Sequence, residues 1–266
     1  INTVYRNKEH MCLNLKTEAG LQALKELVST VDVLIEGFRP GVAARLGIDF
    51  SSLQAVNSRL IYCSISGYGQ TGPYKDQAGH DVNYMSAAGV LDLIGQPEGP
   101  PVIPGVQIAD LVGGMNAAMG ILMAVVARQQ TGEGQYIDIS MTDAVVGLLP
   151  LVLNFYHQTG QSPQRGNSLL SNRYACYHTY ATADGRALSV GALEPKFWAR
   201  LCTHLGLEEY IDLQFDQARR EEIVTEFKRI MAQKTLAQWE EELVPLDVCC
   251  QGVRTLEEAL AHPLFH

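Results

Sequence analysis

Positive charge is scarce in this sequence: 20 Lys and Arg stand against 29 Asp and Glu, a formal net charge of −9 over 266 residues. Such a balance argues against a nucleic-acid or anionic-membrane surface, so any anionic ligand must be met by a few local cations. Paired cysteines are missing as well. The six (Cys12, Cys63, Cys176, Cys202, Cys249, Cys250) contain no C-x-x-C, and two are adjacent. That is a poor disulfide or zinc framework, and reduced thiols in a cytoplasm fit it best. The seven histidines are dispersed, and no metal site is expected. No P-loop or G-x-G-x-x-G fingerprint is read in the chain, and neither mononucleotide hydrolysis nor NAD binding has direct support. Ser64, Ser66 and Ser140 lie outside any G-x-S-x-G elbow, which argues against serine-hydrolase chemistry. No secretory leader, internal repeat or low-complexity tract is visible. The apolar run Leu111 to Ala127 begins beside Asp110, holds Asn116 and ends at Arg128, and reads as a buried helix rather than a membrane span. Ile1 in place of an initiator methionine suggests a piece of a longer polypeptide.

What is present is a 47% hydrophobic chain, enough for a sizeable core in one large domain or two modest ones. An amphipathic helix is expected over Lys16 to Thr30, with Thr17 as N-cap and Leu21, Leu24 and Leu27 at helical spacing. The β-branched run Val31 to Glu36 follows as a buried strand. Short helices near Pro40 to Leu46 and Ser51 to Asn57 lead to a second strand, Leu60 to Ile65. This alternation implies a parallel α/β layer. A glycine-rich loop (Ser66 to Asp76) leaves the second strand, at the end where such sheets place ligands. Helices are expected from Asp81 to Leu93, Asp110 to Gln130 and Thr142 to Phe155, with a strand over Gln135 to Ser140. The polar stretch Gln158 to Arg173 marks a boundary between a large domain, residues 1–160, and a smaller α+β domain, 174–266. In the latter, Asp184-Gly185 signals a hairpin between Ala175 to Thr182 and Ala187 to Val190. Helices over Lys196 to Gly206, Arg219 to Ala232, Leu236 to Leu243 and Leu256 to Ala261 follow, with a strand over Asp247 to Val253.

Three groups of residues carry chemistry. Lys16, Arg39 and Arg45 form a small cationic set, two of them around the turn Phe38-Arg39-Pro40-Gly41. Guanidinium groups there could clamp phosphates, although solvated surface charge is the plainer reading. His80 and Asp110 open two successive helices after glycine-bearing loops. Singly, one reads as structural and the other as a first-turn acid that complements the helix dipole. Together with Glu194, in Gly191-Ala192-Leu193-Glu194-Pro195, they supply one imidazole and two carboxylates for proton donor and acceptor roles. Cys249 and Cys250 are expected to be packing thiols.

Several segments carry a family resemblance: Asn14 to Thr17, Val33 to Leu46 (VLIEGFRPGVAARL), Leu60 to Gly72 (LIYCSISGYGQTG), Gly79 to Tyr84 (GHDVNY), Ala109 to Gly114, Thr131 to Asp143, Thr182 to Arg186 with Gly191 to Phe197, and Asp247 to Glu258. Over nearly its whole length the chain resembles the class III CoA-transferase family (CaiB/BaiF type), and its motifs are most similar to the α-methylacyl-CoA racemase branch. The resemblance implies an interlocked homodimer of a Rossmann-like large domain and a small domain, with further chain at both ends. It implies coenzyme A, brought as an acyl-CoA thioester, with Lys16, Arg39 and Arg45 on its phosphates and adenosine end and Tyr84 along the thioester arm. It also implies that Asp110 is the carboxylate acylated in transferases and an acid/base in racemases. His80 would exchange the α-proton of a 2-methylacyl-CoA with Asp110, and Glu194 would pair with the histidine. An imidazole titrates near neutrality and can act in either direction. Enolate stabilisation is expected from the backbone N–H groups at the start of the Asp110 helix. Two alternatives stand beside racemisation: CoA transfer to a carboxylic acid through an aspartyl intermediate, and a non-catalytic CoA-binding protein.

Overall fold

A computed structural model describes residues 3–265. The chain divides into two compact units, one comprising Ile1–Ile94 with Pro101–Gln161 and the other Gly95–Pro100 with Ser162–His266. The excursion of residues 95–100 is held by Arg165, whose guanidinium donates to the carbonyls of Gln96 (2.8 Å) and Gly99 (2.7 Å).

In the first unit, helix α1 (Glu18–Val28) starts where a capping residue permits: the Thr17 hydroxyl accepts the Gly20 N–H at 3.2 Å. Strand β1 (Val33–Glu36) is followed by the short helices α2 (Val42–Leu46) and α3 (Phe50–Gln54), then by strand β2 (Ile61–Ser66). After the glycine loop come α4 (Asp81–Ala87), the long α5 (Ile108–Thr131), strand β3 (Tyr136–Ser140), α6 (Met141–Val146) and α7 (Pro150–Thr159). The three strands form a parallel sheet in the order β1-β2-β3, with Ile35 opposite Cys63 and Cys63 opposite Ile137. β2 is central and buried almost throughout, which its Ile-Tyr-Cys-Ser-Ile run suits.

Two expected elements differ. The helix predicted to run to Leu93 stops at Ala87, because Gly89 takes a left-handed φ of 73° and the chain restarts as a single 3-10 turn, Leu91–Leu93. The helix predicted over Thr142 to Phe155 is two helices. Pro150 lacks an N–H and suits the first position of a new helix, not the middle of an old one.

α5 also departs from expectation. It is long and apolar enough to cross a membrane, and here only one of its faces is buried. Ala109, Gly113, Ala117 and Ala124 point inwards, and a Cβ on Gly113 would lie 2.7 Å from the Met141 side chain. Leu111, Met115, Met119, Leu122, Met123 and Val126 are exposed along the opposite side.

The second unit carries an antiparallel sheet in the order β4 (Tyr177–Ala181), β5 (Ala187–Gly191), β6 (Cys250–Gly252). Helices α8 (Pro195–Leu205), α9 (Arg220–Met231) and α10 (Leu236–Leu243) cover it, and α11 (Leu256–Leu260) is followed by a 3-10 turn, Pro263–Phe265, at the end of the described chain. Its core is aromatic: Trp198 stacks on Phe227 with centroids 5.1 Å apart, and both tryptophan N–H groups find buried carbonyls. Cys250 is buried and its thiol is pushed up to about 12 by desolvation. Cys249 is not a packing thiol. It is exposed, at a left-handed φ of 56°.

Candidate active site

The carboxyl ends of β1 and β2 open onto the same side of the first unit. β1 ends in Glu36, a buried carboxylate that accepts the Ser64 hydroxyl and, at 2.6 Å, the Phe38 N–H. This fixes the turn that presents Arg39, and the Arg39 guanidinium reaches across to the Asp76 carbonyl. Gly41 has a left-handed φ of 79°, and the Arg45 guanidinium lies against it, 3.5 Å from where a Cβ would stand. Both arginines thus flank one turn. Lys16 is exposed in the turn before α1, where it makes no ion pair among the described residues.

The loop after β2 reads Gly67-Tyr68-Gly69-Gln70-Thr71-Gly72, which has G-x-G-x-x-G spacing that sequence reading passed over. It does not open a helix, because α4 begins only at Asp81, so the setting of a dinucleotide fingerprint is missing. The Gln70 N–H is held by the Asp138 carboxylate at 2.9 Å. Gly67 permits a close approach instead: a Cβ there would sit 2.2 Å from the Tyr84 ring. Tyr84 is buried edge-on to Tyr68, and its hydroxyl donates to the Gly79 carbonyl at 2.5 Å. Desolvation, with the charges of Tyr68 and Asp110 behind it, pushes the Tyr84 hydroxyl up.

These pieces enclose a cavity of about 500 Å³ lined by Phe38, Arg39, Tyr68, Lys75, His80 and Tyr84 among others. Two cations and an imidazole face it and no carboxylate does. In a chain of net charge −9 this is a local anion-accepting surface with an aromatic wall. Lys75 escaped sequence reading, since a single lysine in a loop carries no pattern. Lys16, Arg45 and Asp110 are not among the lining residues.

His80 is the exposed N-cap residue of α4, and its N–H is taken by the Asn83 side-chain oxygen at 3.0 Å. Asp110 is exposed in the first turn of α5. The two are brought within electrostatic reach of each other. Partial desolvation and the charge of Asp81 hold the Asp110 carboxyl above the usual carboxylate range, and the charge of His80 opposes them. Asp81 is the residue sequence reasoning missed. It is 9% exposed, and its Oδ1 accepts the N–H of Ala109 at 2.6 Å and of Asp110 at 3.2 Å.

That contact corrects an expectation. The N–H groups of Ala109 and Asp110 are occupied by Asp81, the Leu111 N–H goes to the Gln107 carbonyl, and the glycines of this helix sit a turn further on. The start of α5 therefore does not offer these N–H groups to a developing enolate. Glu194 belongs to the second unit, where it is the exposed N-cap residue of α8, and its charge helps to raise the Cys249 thiol behind the larger effect of desolvation.

The sequence model of CoA-transferase family III matches residues 1–266. The α-methylacyl-CoA racemase of Mus musculus is 37% identical over 263 residues, 98% of this chain and 69% of that protein. The succinyl-CoA–D-citramalate CoA-transferase of Chloroflexus aurantiacus is 34% identical over 267 residues, covering 98% of this chain and 66% of its own length. A crystal structure of a CaiB/BaiF family protein from Brucella suis superposes with a TM-score of 0.83 at 32% identity, over 95% of this chain and 68% of that one. With its parallel sheet, its segment order and a match that runs from end to end, the chain belongs to CoA-transferase family III.

Proposed function

We propose that this protein racemises 2-methylacyl-CoA thioesters by α-proton transfer, with His80 and Asp110 as the two proton carriers. The observation that carries the reading is the Asp110 carboxyl, held above the usual range while standing within reach of the His80 imidazole. One group to take the proton and another to return it are what exchange at a weakly acidic α-carbon requires. Family membership brings CoA-linked substrates, and similarity to the mouse racemase favours this branch. Arg39 and Arg45, with Lys16, are assigned to the phosphates and adenosine end and Tyr84 to the thioester arm; Arg39 and Tyr84 line the cationic cavity, while Arg45 and Lys16 enter on the resemblance. Glu194 enters on the resemblance alone. Incubating the protein with a chiral 2-methylacyl-CoA in heavy water should place deuterium at the α-carbon and lose optical purity. No exchange would overturn the reading and leave CoA binding without turnover.

A second reading is supported by the exposure of the Asp110 carboxylate and by the citramalate CoA-transferase relative. Here the Asp110 carboxylate attacks the thioester and expels the CoA thiolate to leave a mixed anhydride. The thiolate returns onto the aspartyl carbon and frees the donor acid. An acceptor carboxylate then displaces the thiolate as an anhydride and takes it back as the new thioester, restoring Asp110. Hydroxylamine trapping of an acylated Asp110, absent from Asp110→Ala, would favour transfer over racemisation.

The reading extends to an interlocked homodimer. It is supported by the exposed apolar face of α5, which a second copy of the chain would cover. A reducing, cytoplasmic setting accords with six free thiols among the described residues.

A further inference from the structure

Asp81 is spent neither on substrate in the reading above nor on an ion pair. No Lys or Arg pairs with it among the described residues, and it is buried. Its one polar connection to the rest of the unit is the pair of N–H groups at the start of α5, both taken by the same oxygen. A neutral Asn, Ser or Thr would satisfy those donors equally well, since helix starts are capped by uncharged oxygens as effectively as by carboxylates. What the carboxylate adds is a negative charge fixed beside the backbone of Asp110 itself. We propose that Asp81 is a positioning residue for Asp110: it locks the first turn of α5 and fixes a negative charge beside Asp110.

The inference rests on the reading of Asp110 as a proton carrier. It is built on the Asp81 contacts and on the direction in which Asp110 is shifted, where Asp81 acts in the raising sense after desolvation. Other titratable groups on neighbouring elements are Asp143 on α6, Tyr62 and Cys63 on β2, Tyr136 and Asp138 on β3, and Tyr84 on α4. The charges that act on Asp110 are those of Asp81 and His80, in opposite senses. Sequence neighbours His80 and Asp81 thus act on one carboxyl about thirty residues away in opposite senses, behind the desolvation that raises it most.

The test separates charge from capping. In Asp81→Asn the amide oxygen can accept the same two N–H groups while the charge is gone. Carbon-13 NMR of carboxyl-labelled protein, with Asp110 assigned from Asp110→Asn, should show its titration midpoint falling towards the ordinary 3.8. The limb of the α-proton exchange profile that belongs to Asp110 should move the same way, and kcat at neutral pH should drop with KM held. Asp81→Ser, a second neutral cap, must reproduce the fall if Asp81→Asn does not fold, and Asp81→Glu must keep the midpoint raised. An unchanged midpoint in a folded neutral variant would overturn the proposal and leave Asp81 a cap alone. Wild-type protein that exchanges no proton would instead sink the racemase reading, while the NMR titration would still decide the part played by Asp81.

Discussion

At the scale of single residues, the site contrasts one acid that is anchored with one that is left exposed. Asp81 is buried and held by two N–H groups, whereas Asp110, which follows one of those groups along the chain, has an exposed carboxyl. The raised proton affinity of Asp110 has a consequence for stability. A carboxyl whose folded value lies above its unfolded value favours the native state only while it is protonated. That contribution is full below 3.8 and is lost as pH rises through the folded value. Asp110→Asn, neutral at every pH, should therefore match the wild type in acid and become the more stable of the two towards neutral pH. Thermal melts of both proteins across that interval check it, and a gap that does not widen with pH would contradict the sign. His80 and Asp110 could be picked out from sequence because each opens a helix after a glycine-bearing loop. Asp81 could not, because its partners are backbone N–H groups 28 and 29 residues away, and backbone donors leave no mark in residue identity.

At the scale of elements, the loop after β2 is fastened to α4 through one ring. Tyr84 fills the space that Gly67 and Gly79 leave open, and its hydroxyl closes on the Gly79 carbonyl immediately before His80. Gly67→Ala would drive a methyl group into that ring at 2.2 Å, so the ring must shift and its hydrogen bond must stretch or break. A loss of about 1–3 kcal/mol in urea unfolding is expected, as for overpacking elsewhere, together with reduced turnover from a displaced His80. Unaltered stability would mean that the ring moves freely. The elements themselves were largely legible: Thr17 caps α1 as its position before an amphipathic run suggests, and β1, β2 and β3 fall within two residues of the expected runs. The misreadings arose where a backbone feature outweighs side-chain pattern. Apolar periodicity continues across residues 142–155, but Pro150 ends one helix and starts another.

At the scale of the whole molecule, α5 shows why hydrophobicity alone misjudged what is covered. The run from Leu111 to Ala127 is apolar all round, and full burial is the natural expectation for such a helix. Close packing on the sheet and α6 selected its smallest residues for the inner face: Ala109, Gly113, Ala117 and Ala124. The large side chains were left outside, with Leu122 at 65% and Met123 at 73% exposure. Sequence carries how apolar a helix is but not which chain covers it. Burying a valine, leucine or methionine contributes about 1.5–3 kcal/mol, so six such residues on one face are a strong drive for association. In the proposed homodimer, Met119→Glu combined with Leu122→Glu would place two unpaired carboxylates in the interface along α5. An uncompensated buried charge costs about 3–5 kcal/mol, while each glutamate is harmless in a free chain because both positions are exposed and point away from the unit's own core. Sedimentation should give a dimer mass for the wild type and a monomer mass for the double variant, with the folded far-UV signal retained. A double variant that stays dimeric would place the partner surface elsewhere.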